Sequence, residues 1–184
     1  MEKQNLYFVA IVLPEELSKK VISIQTEIAA CFESQKSLRV VPHITLKAPF
    51  TLSASMHSEV VKWFDNLLIN INYFSVDLWD FGSFPNPKSP VIYIKLMGNA
   101  VLLKLQQDII QQFYKVFSGT ASGTEINFKP HVTVAYRDLK PEIFLRAWQE
   151  FKDRKFSESF VANSFELLQH DGKKWNVIKT FRLN

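Results

Sequence analysis

The tetrapeptide Pro42-His43-Ile44-Thr45 returns, with one conservative change, as Pro130-His131-Val132-Thr133. Each copy sets a histidine and a threonine two residues apart in a β-branched stretch. On a strand, residues i and i+2 share a face and lie about 7 Å apart. Each copy therefore aims one imidazole and one hydroxyl the same way. Two such strands facing one ligand would supply two imidazoles and two hydroxyls, a set suited to a phosphodiester. Cleavage at phosphorus needs a nucleophile deprotonated on one side and a leaving oxygen protonated on the other. Two imidazoles do both when one is neutral and one charged, and the ordinary histidine pKa of about 6.5 makes both forms available near neutrality. Fixed hydroxyls stabilise the charge that grows on the non-bridging oxygens. Threonine suits this because its β-branch restricts χ1.

Other chemistries find less support. A single His-x-Thr on a strand is most often structural, so the recurrence carries the signal. Of the four histidines, His57 and His170 lie outside the motif and read as solvated surface residues. No His-x-His, His-x-x-x-His or Cys-x-x-Cys spacing occurs, and Asp138 is the acid nearest the second motif. No metal and no cofactor are expected. Cys31 is the sole cysteine. It allows no internal disulfide, which fits a reducing compartment, and it reads as a small buried thiol on a helix. Basic and aromatic residues surround the motifs. Lys47, Tyr136 and Arg137 are candidate phosphate contacts, and Phe84 is a candidate to stack on a base. The net charge of +4 tolerates an anionic ligand without requiring one. With no basic run, it argues for a short ligand rather than a wide duplex.

The elements that must position these groups follow from periodicity. Leu6–Leu13 is an apolar strand, too short to span a bilayer and followed by no cleavage site; the chain is expected to be cytoplasmic. Pro14 starts a helix whose apolar face is Leu17, Val21, Ile24, Ile28 and Phe32. The first His-Thr strand runs around Arg39–Lys47. A second helix, capped by Ser53 or Ser55, carries Val60, Phe64, Leu67 or Leu68, and Ile71 inward. Strands follow at Tyr73–Phe81 and Val91–Met97, joined by the proline-rich loop Gly82–Pro90. A third helix spans about Asn99 to Phe117. The small, polar segment Ser118–Thr124 is expected to be a mobile loop. The second His-Thr strand runs around Phe128–Tyr136, and Pro141 begins a fourth helix bearing Phe144, Trp148 and Phe151. Strands near Phe156–Val161, Ser164–His170 and Trp175–Leu183 finish the chain, with Asp171-Gly172 as a hairpin turn. Each half reads as strand, helix, His-Thr strand, helix, further strands. That order predicts an α+β or α/β sheet fold over residues 1–184, and a single domain of two similar lobes with a cleft between them is the simplest way to bring the two motifs together.

The paired motif, His43-Ile44-Thr45-Leu46 and His131-Val132-Thr133-Val134, resembles the two-histidine (2H) phosphoesterase superfamily. That superfamily includes 2′-5′ RNA ligase-like proteins and cyclic nucleotide phosphodiesterases. Tyr7–Pro14 resembles its first strand and helix-starting proline, and Phe84–Leu96 resembles the strand before its third helix. The resemblance implies a bilobal fold of two antiparallel-rich sheets with outer helices. It implies pseudo-two-fold symmetry about a central cleft lined by both motifs. It also implies metal-independent hydrolysis of 2′,3′-cyclic phosphate nucleotides or RNA ends, with ligation as a further activity. His43 and His131 would be the acid/base pair, and Thr45 and Thr133 the oxygen donors. The expected partner is a nucleotide or RNA terminus bearing a cyclic phosphate, bound by a monomer away from membranes. The alternative is a non-catalytic RNA or nucleotide binder using the same cleft. Several relatives place Arg five residues after the second histidine. Here Tyr136 holds that place and Arg137 follows, and in a strand that one-residue shift sends Arg137 to the other face.

Overall fold

The computed structural model describes residues 3–119 and 121–184; Met1, Glu2 and Thr120 lie outside the described residues. In chain order the elements are β1 (Gln4–Val12), α1 (Glu15–Phe32), β2 (His43–Ser53), α2 (His57–Asp65), β3 (Phe74–Phe84), β4 (Val91–Leu96), α3 (Ala100–Val116), α4 (Gly123–Ile126), β5 (His131–Ala135), α5 (Pro141–Phe151), β6 (Ser157–Ala162), β7 (Ser164–His170) and β8 (Trp175–Arg182). A short 3-10 helix, Lys36–Arg39, precedes β2. All strand pairs are antiparallel, in the order β6-β3-β4-β5-β2-β1-β7-β8. The expected two sheets are thus two four-stranded halves of one sheet. They are joined where β2 meets β5, and each half has its His-Thr strand innermost.

Local chemistry explains the boundaries. Pro14 caps α1, and Glu15 and Glu16 occupy its first turn, where the helix dipole favours them. The Asn99 side chain accepts from the Leu102 N–H at 2.9 Å and starts α3. α2 stops at Asp65, before the expected Leu68 and Ile71, and Leu68 is 84% exposed. β3 continues through Phe84, so the proline-rich loop begins only at Pro85. Arg39, expected to open the first His-Thr strand, ends the 3-10 helix instead, and β2 starts only at His43. Cys31, expected to be buried, is exposed because it falls just outside the stripe of Val21, Ile24, Ile28 and Phe32.

From Leu6 onward β1 is apolar because both its faces are covered. Tyr7, Val9 and Ile11 join the main core with α1, Ile44 and Val132. Phe8 and Ala10 form a second, smaller cluster with Leu168, against which Val40 and Trp175 pack. Strand alternation sends Phe8 and Ala10 to one face. Ala10 is the register partner of Thr45, so the smaller cluster floors the side on which the motifs present their side chains.

One ionic interaction ties the segment before β5 to β2. Lys47 Nζ lies 2.6 Å from Glu125 Oε1, with both side chains almost fully buried. The same ammonium sits 4.4 Å from the Phe113 ring centroid. Glu125 also accepts from Tyr114 Oη at 3.1 Å and from the Ser122 backbone N–H at 2.8 Å, closing a capping box on α4. Burial alone would raise the Glu125 carboxyl, but Lys47 and Ser122 outweigh it and hold the pKa below the usual carboxylate range. Removing one member leaves the other charged and dry. Glu125→Gln should therefore cost about 3 kcal/mol in urea unfolding. The Lys47→Met/Glu125→Gln double variant should recover part of that loss. A single variant as stable as the parent would show that the pair is not desolvated.

Candidate active site

β2 and β5 touch through one bridge, Ile44 opposite Val132. Both side chains are fully buried in the main core. Their neighbours on each strand must point to the other face. Antiparallel register, extended one residue each way, sets His43 across from Thr133 and Thr45 across from His131. The four groups form a parallelogram of about 5 Å across the strands and about 7 Å along them. The histidines occupy opposite corners, as do the threonines.

The same backbone hydrogen bond fixes each imidazole. His43 Nδ1 lies 2.7 Å from the Val41 carbonyl oxygen, and His131 Nδ1 lies 2.7 Å from that of Lys129. A carbonyl only accepts, so each Nδ1 carries the hydrogen and donates it. Nε2 is left with its lone pair when the ring is neutral. In both cases the acceptor belongs to the residue before the proline, whose ring fixes φ and so holds that carbonyl in place. The proline that leads each motif thus serves the histidine behind it. Neither Nε2 nor either threonine hydroxyl has a hydrogen-bond partner among the described residues. Aromatic rings pack both imidazoles. Phe8 lies 4.8 Å from His43; Phe84 and Tyr93 lie 5.2 and 4.9 Å from His131. Tyr93 takes its place because Gly82 lacks a side chain, since a Cβ there would come within 2.6 Å of the Tyr93 ring.

Burial pushes the His43 imidazole down to about 4, against the opposing pull of the Val41 hydrogen bond, and positive charge on His131 lowers it further. Burial also lowers His131, opposed by its bond to Lys129. Charge on His131 thus reaches His43, and burial favours the neutral form of both rings.

Two pockets flank the four groups and share Thr45. One, of about 220 Å³, is lined by His43, Thr45, Thr133, Tyr136 and Arg137, with Phe8, Trp175, Gln25 and Ser37 among its other walls. The other, of about 390 Å³, is lined by Thr45, His131, Phe84, Phe128 and the α4 segment. The catalytic candidates His43, Thr45, His131 and Thr133 thus converge, and Phe84, Tyr136 and Arg137 line the flanking space. Lys47 does not: it is 4% exposed and committed to Glu125, so its expected phosphate contact is corrected to a structural role. The expected turning away of Arg137 is corrected too. β5 ends at Ala135, and Arg137 adopts φ 61°, so strand alternation does not reach it. His170 is half-buried against Trp175 rather than solvated.

Sequence reasoning missed Phe8, Tyr93, Trp175, Gln25 and Ser37. Gln25 carried a readable signal, being a polar residue inside the apolar stripe of α1. It is 2% exposed and donates to the Thr133 carbonyl at 3.1 Å. Phe8 carried none, because an all-apolar strand does not announce which of its faces meets a ligand. Among the described residues, no three His, Cys, Asp or Glu side chains group so as to hold a metal ion, and no helix is long and apolar enough to cross a membrane.

Known proteins resemble this arrangement over most of the chain. The profile of the 2′-5′ RNA ligase superfamily matches residues 13–174. A Bacillus licheniformis protein named "putative phosphoesterase" is 31% identical over 168 residues, covering 90% of this chain and 94% of its own. A Bacillus pumilus protein of the same name is 29% identical over 168 residues, covering 90% and 92%. Among solved structures, LigT of Escherichia coli superposes with a TM-score of 0.69 at 19% identity, covering 99% of both chains. TT0787 of Thermus thermophilus superposes with a TM-score of 0.65 at 20% identity, covering 97% of both. LigT has also been crystallised with 3′-AMP.

The low pKa of His43 has a sign that can be checked. An unfolded chain protonates this histidine near 6.5 and the folded one near 4. Its contribution to stability is complete above about 6.5 and is lost as pH falls from there to about 4, a loss of roughly 3 kcal/mol. NMR titration of the His43 ring should give a midpoint near 4, and inorganic phosphate should raise it. A midpoint at 6.5 without phosphate would show that the ring is not desolvated.

Proposed function

This chain belongs to the 2′-5′ RNA ligase superfamily, and from that premise we propose that it is a metal-independent phosphodiesterase. Its substrate is a 2′,3′-cyclic phosphate on a nucleotide or RNA end, opened to a monoester. The observation that carries this reading is the set of four unpartnered groups, two imidazole Nε2 atoms and two threonine hydroxyls, at the corners of one bridge. The set fits a phosphate with one oxygen entering and another leaving. The phosphoesterase names of the Bacillus relatives and the 3′-AMP bound by LigT support a nucleotide phosphate as ligand.

The chemistry divides as follows. A water oxygen attacks phosphorus and passes its proton to Nε2 of His43, the ring held neutral most firmly. The bond from phosphorus to the ribose oxygen breaks, and that oxygen takes a proton from Nε2 of His131. Proton exchange with solvent resets both rings. Thr45 and Thr133 donate to the non-bridging oxygens as charge accumulates there. Backbone bonds at both Nδ1 atoms keep each ring from turning its wrong nitrogen to the substrate. Phe84 and Tyr136 bound the flanking pockets and offer faces to the base.

Turnover of a nucleoside 2′,3′-cyclic phosphate should persist in excess chelator. Because kcat/KM reports the free enzyme, its pH profile should be a bell on the acid side of neutrality. It should rise through a pKa near 4 for His43 and fall below 6.5 as His131 loses its proton. His43→Ala or His131→Ala should remove activity by orders of magnitude. Thr45→Val or Thr133→Val should cost about 2–4 kcal/mol of transition-state stabilisation. Tight nucleotide binding with no turnover would make the protein a binder that uses the same cleft.

A further inference from the structure

Arg137 sits where a charged side chain costs the backbone something. Its φ of 61° lies in the left-handed region, which residues other than glycine and asparagine rarely enter. The Asp138 N–H donates to the Tyr136 carbonyl at 2.7 Å, closing a three-residue turn with Arg137 at its centre. Such turns with positive φ are rare and strained. Strain of this kind persists only where the surroundings enforce it. Here Asp138 enforces it. Its carboxylate accepts from Ser34 Oγ at 2.9 Å, from the Gln35 N–H at 2.9 Å and from the Lys36 N–H at 3.0 Å. The turn is thereby clamped to the segment that follows α1.

The clamp delivers a free cation. Arg137 is exposed and makes no ion pair or hydrogen bond among the described residues; its guanidinium rests 5.3 Å over the Tyr136 ring. It lines the same pocket as His43, Thr45 and Thr133. Those three line it from strands β2 and β5, whereas Arg137 lies beyond the end of β5 and is more exposed than any of them. The scissile phosphate already has four groups around it. A guanidinium at the rim is placed for the next anion along the substrate, and its planar fork matches a phosphate.

We propose that Arg137 binds a second, non-scissile phosphate of the substrate on the His43 side, and that Asp138 is the positioning residue that holds it there. This rests on the phosphodiesterase reading and sharpens it. The preferred substrate is an oligonucleotide end carrying a neighbouring phosphodiester, rather than a mononucleotide.

Kinetics on two substrates test this: a nucleoside 2′,3′-cyclic phosphate, with one phosphate, and a dinucleotide ending in the same cyclic phosphate, with two. Arg137→Gln should raise KM about tenfold more for the dinucleotide than for the mononucleotide and leave kcat within about twofold. Arg137→Lys should recover part of the loss. Arg137→Gly should show the same KM penalty while melting no lower than the parent, since glycine accepts φ 61° without strain. Asp138→Asn should mimic Arg137→Gln on the dinucleotide alone, whereas a purely structural role would change both substrates together. Equal effects on the two substrates would put Arg137 on the scissile phosphate and overturn the proposal, and so would no effect on either. If neither substrate is turned over, the hydrolase reading fails. Calorimetric binding of a 3′-phosphorylated dinucleotide and a 3′-mononucleotide then decides the Arg137 assignment by the same ratio.

Discussion

The contact between Ile44 and Val132 is the constraint on which the rest depends. It is the bridge between β2 and β5, and it joins the two halves of the sheet. It forces both side chains into the core, so the residues on either side of each must face away from it. A histidine and a threonine precede and follow each buried residue. One apolar contact therefore brings four polar groups to one place in diagonal order. A slip of one residue in either strand would bury a histidine and present a valine or isoleucine instead. The large buried area around this contact makes that slip costly, so the site's geometry is a consequence of core packing rather than of contacts within the site.

Around that contact, polar backbone does what side chains do in many acid/base sites. Among the described residues no carboxylate orients these imidazoles. A carbonyl held by a neighbouring proline does so, once per motif, at the same 2.7 Å. A neutral acceptor fixes the tautomer without stabilising the charged ring as a carboxylate would. That is consistent with both rings being shifted down by burial. The proposed chemistry uses this. One ring must be able to take a proton from water, and both regain sensitivity to charge once an anion enters between them. The Lys47–Glu125 pair lies behind this surface, where it braces the larger pocket's wall and stays out of the chemistry.

Much of this was legible in the sequence. The motif strands, α1, α3, α5 and the terminal strands follow from apolar periodicity and from Pro14, Asn99 and Pro141. The four central site residues follow from their spacing. What escaped was whatever depends on contacts distant in sequence. Lys47 reads as a strand-end lysine because its partner Glu125 belongs to a four-residue helix with no periodic signal. Arg137 reads as turned away because parity assumes a strand that continues, and the positive φ that breaks it is enforced by donors from residues 34–36. Phe8 and Trp175 meet only because β1 and β8 both flank β7. The two sheets expected from two similar halves proved continuous, since a single bridge suffices to join them.

The central claim is that both His-Thr pairs act on one phosphorus atom. A crystal structure of the protein with a nucleoside vanadate, which mimics the pentacoordinate state, tests it directly. The equatorial oxygens of one vanadate should accept hydrogen bonds from both threonine hydroxyls, and its vanadium should lie between the two Nε2 atoms, with each within about 3 Å of an apical oxygen. A vanadate held by one motif alone, with the other histidine out of reach, would contradict it.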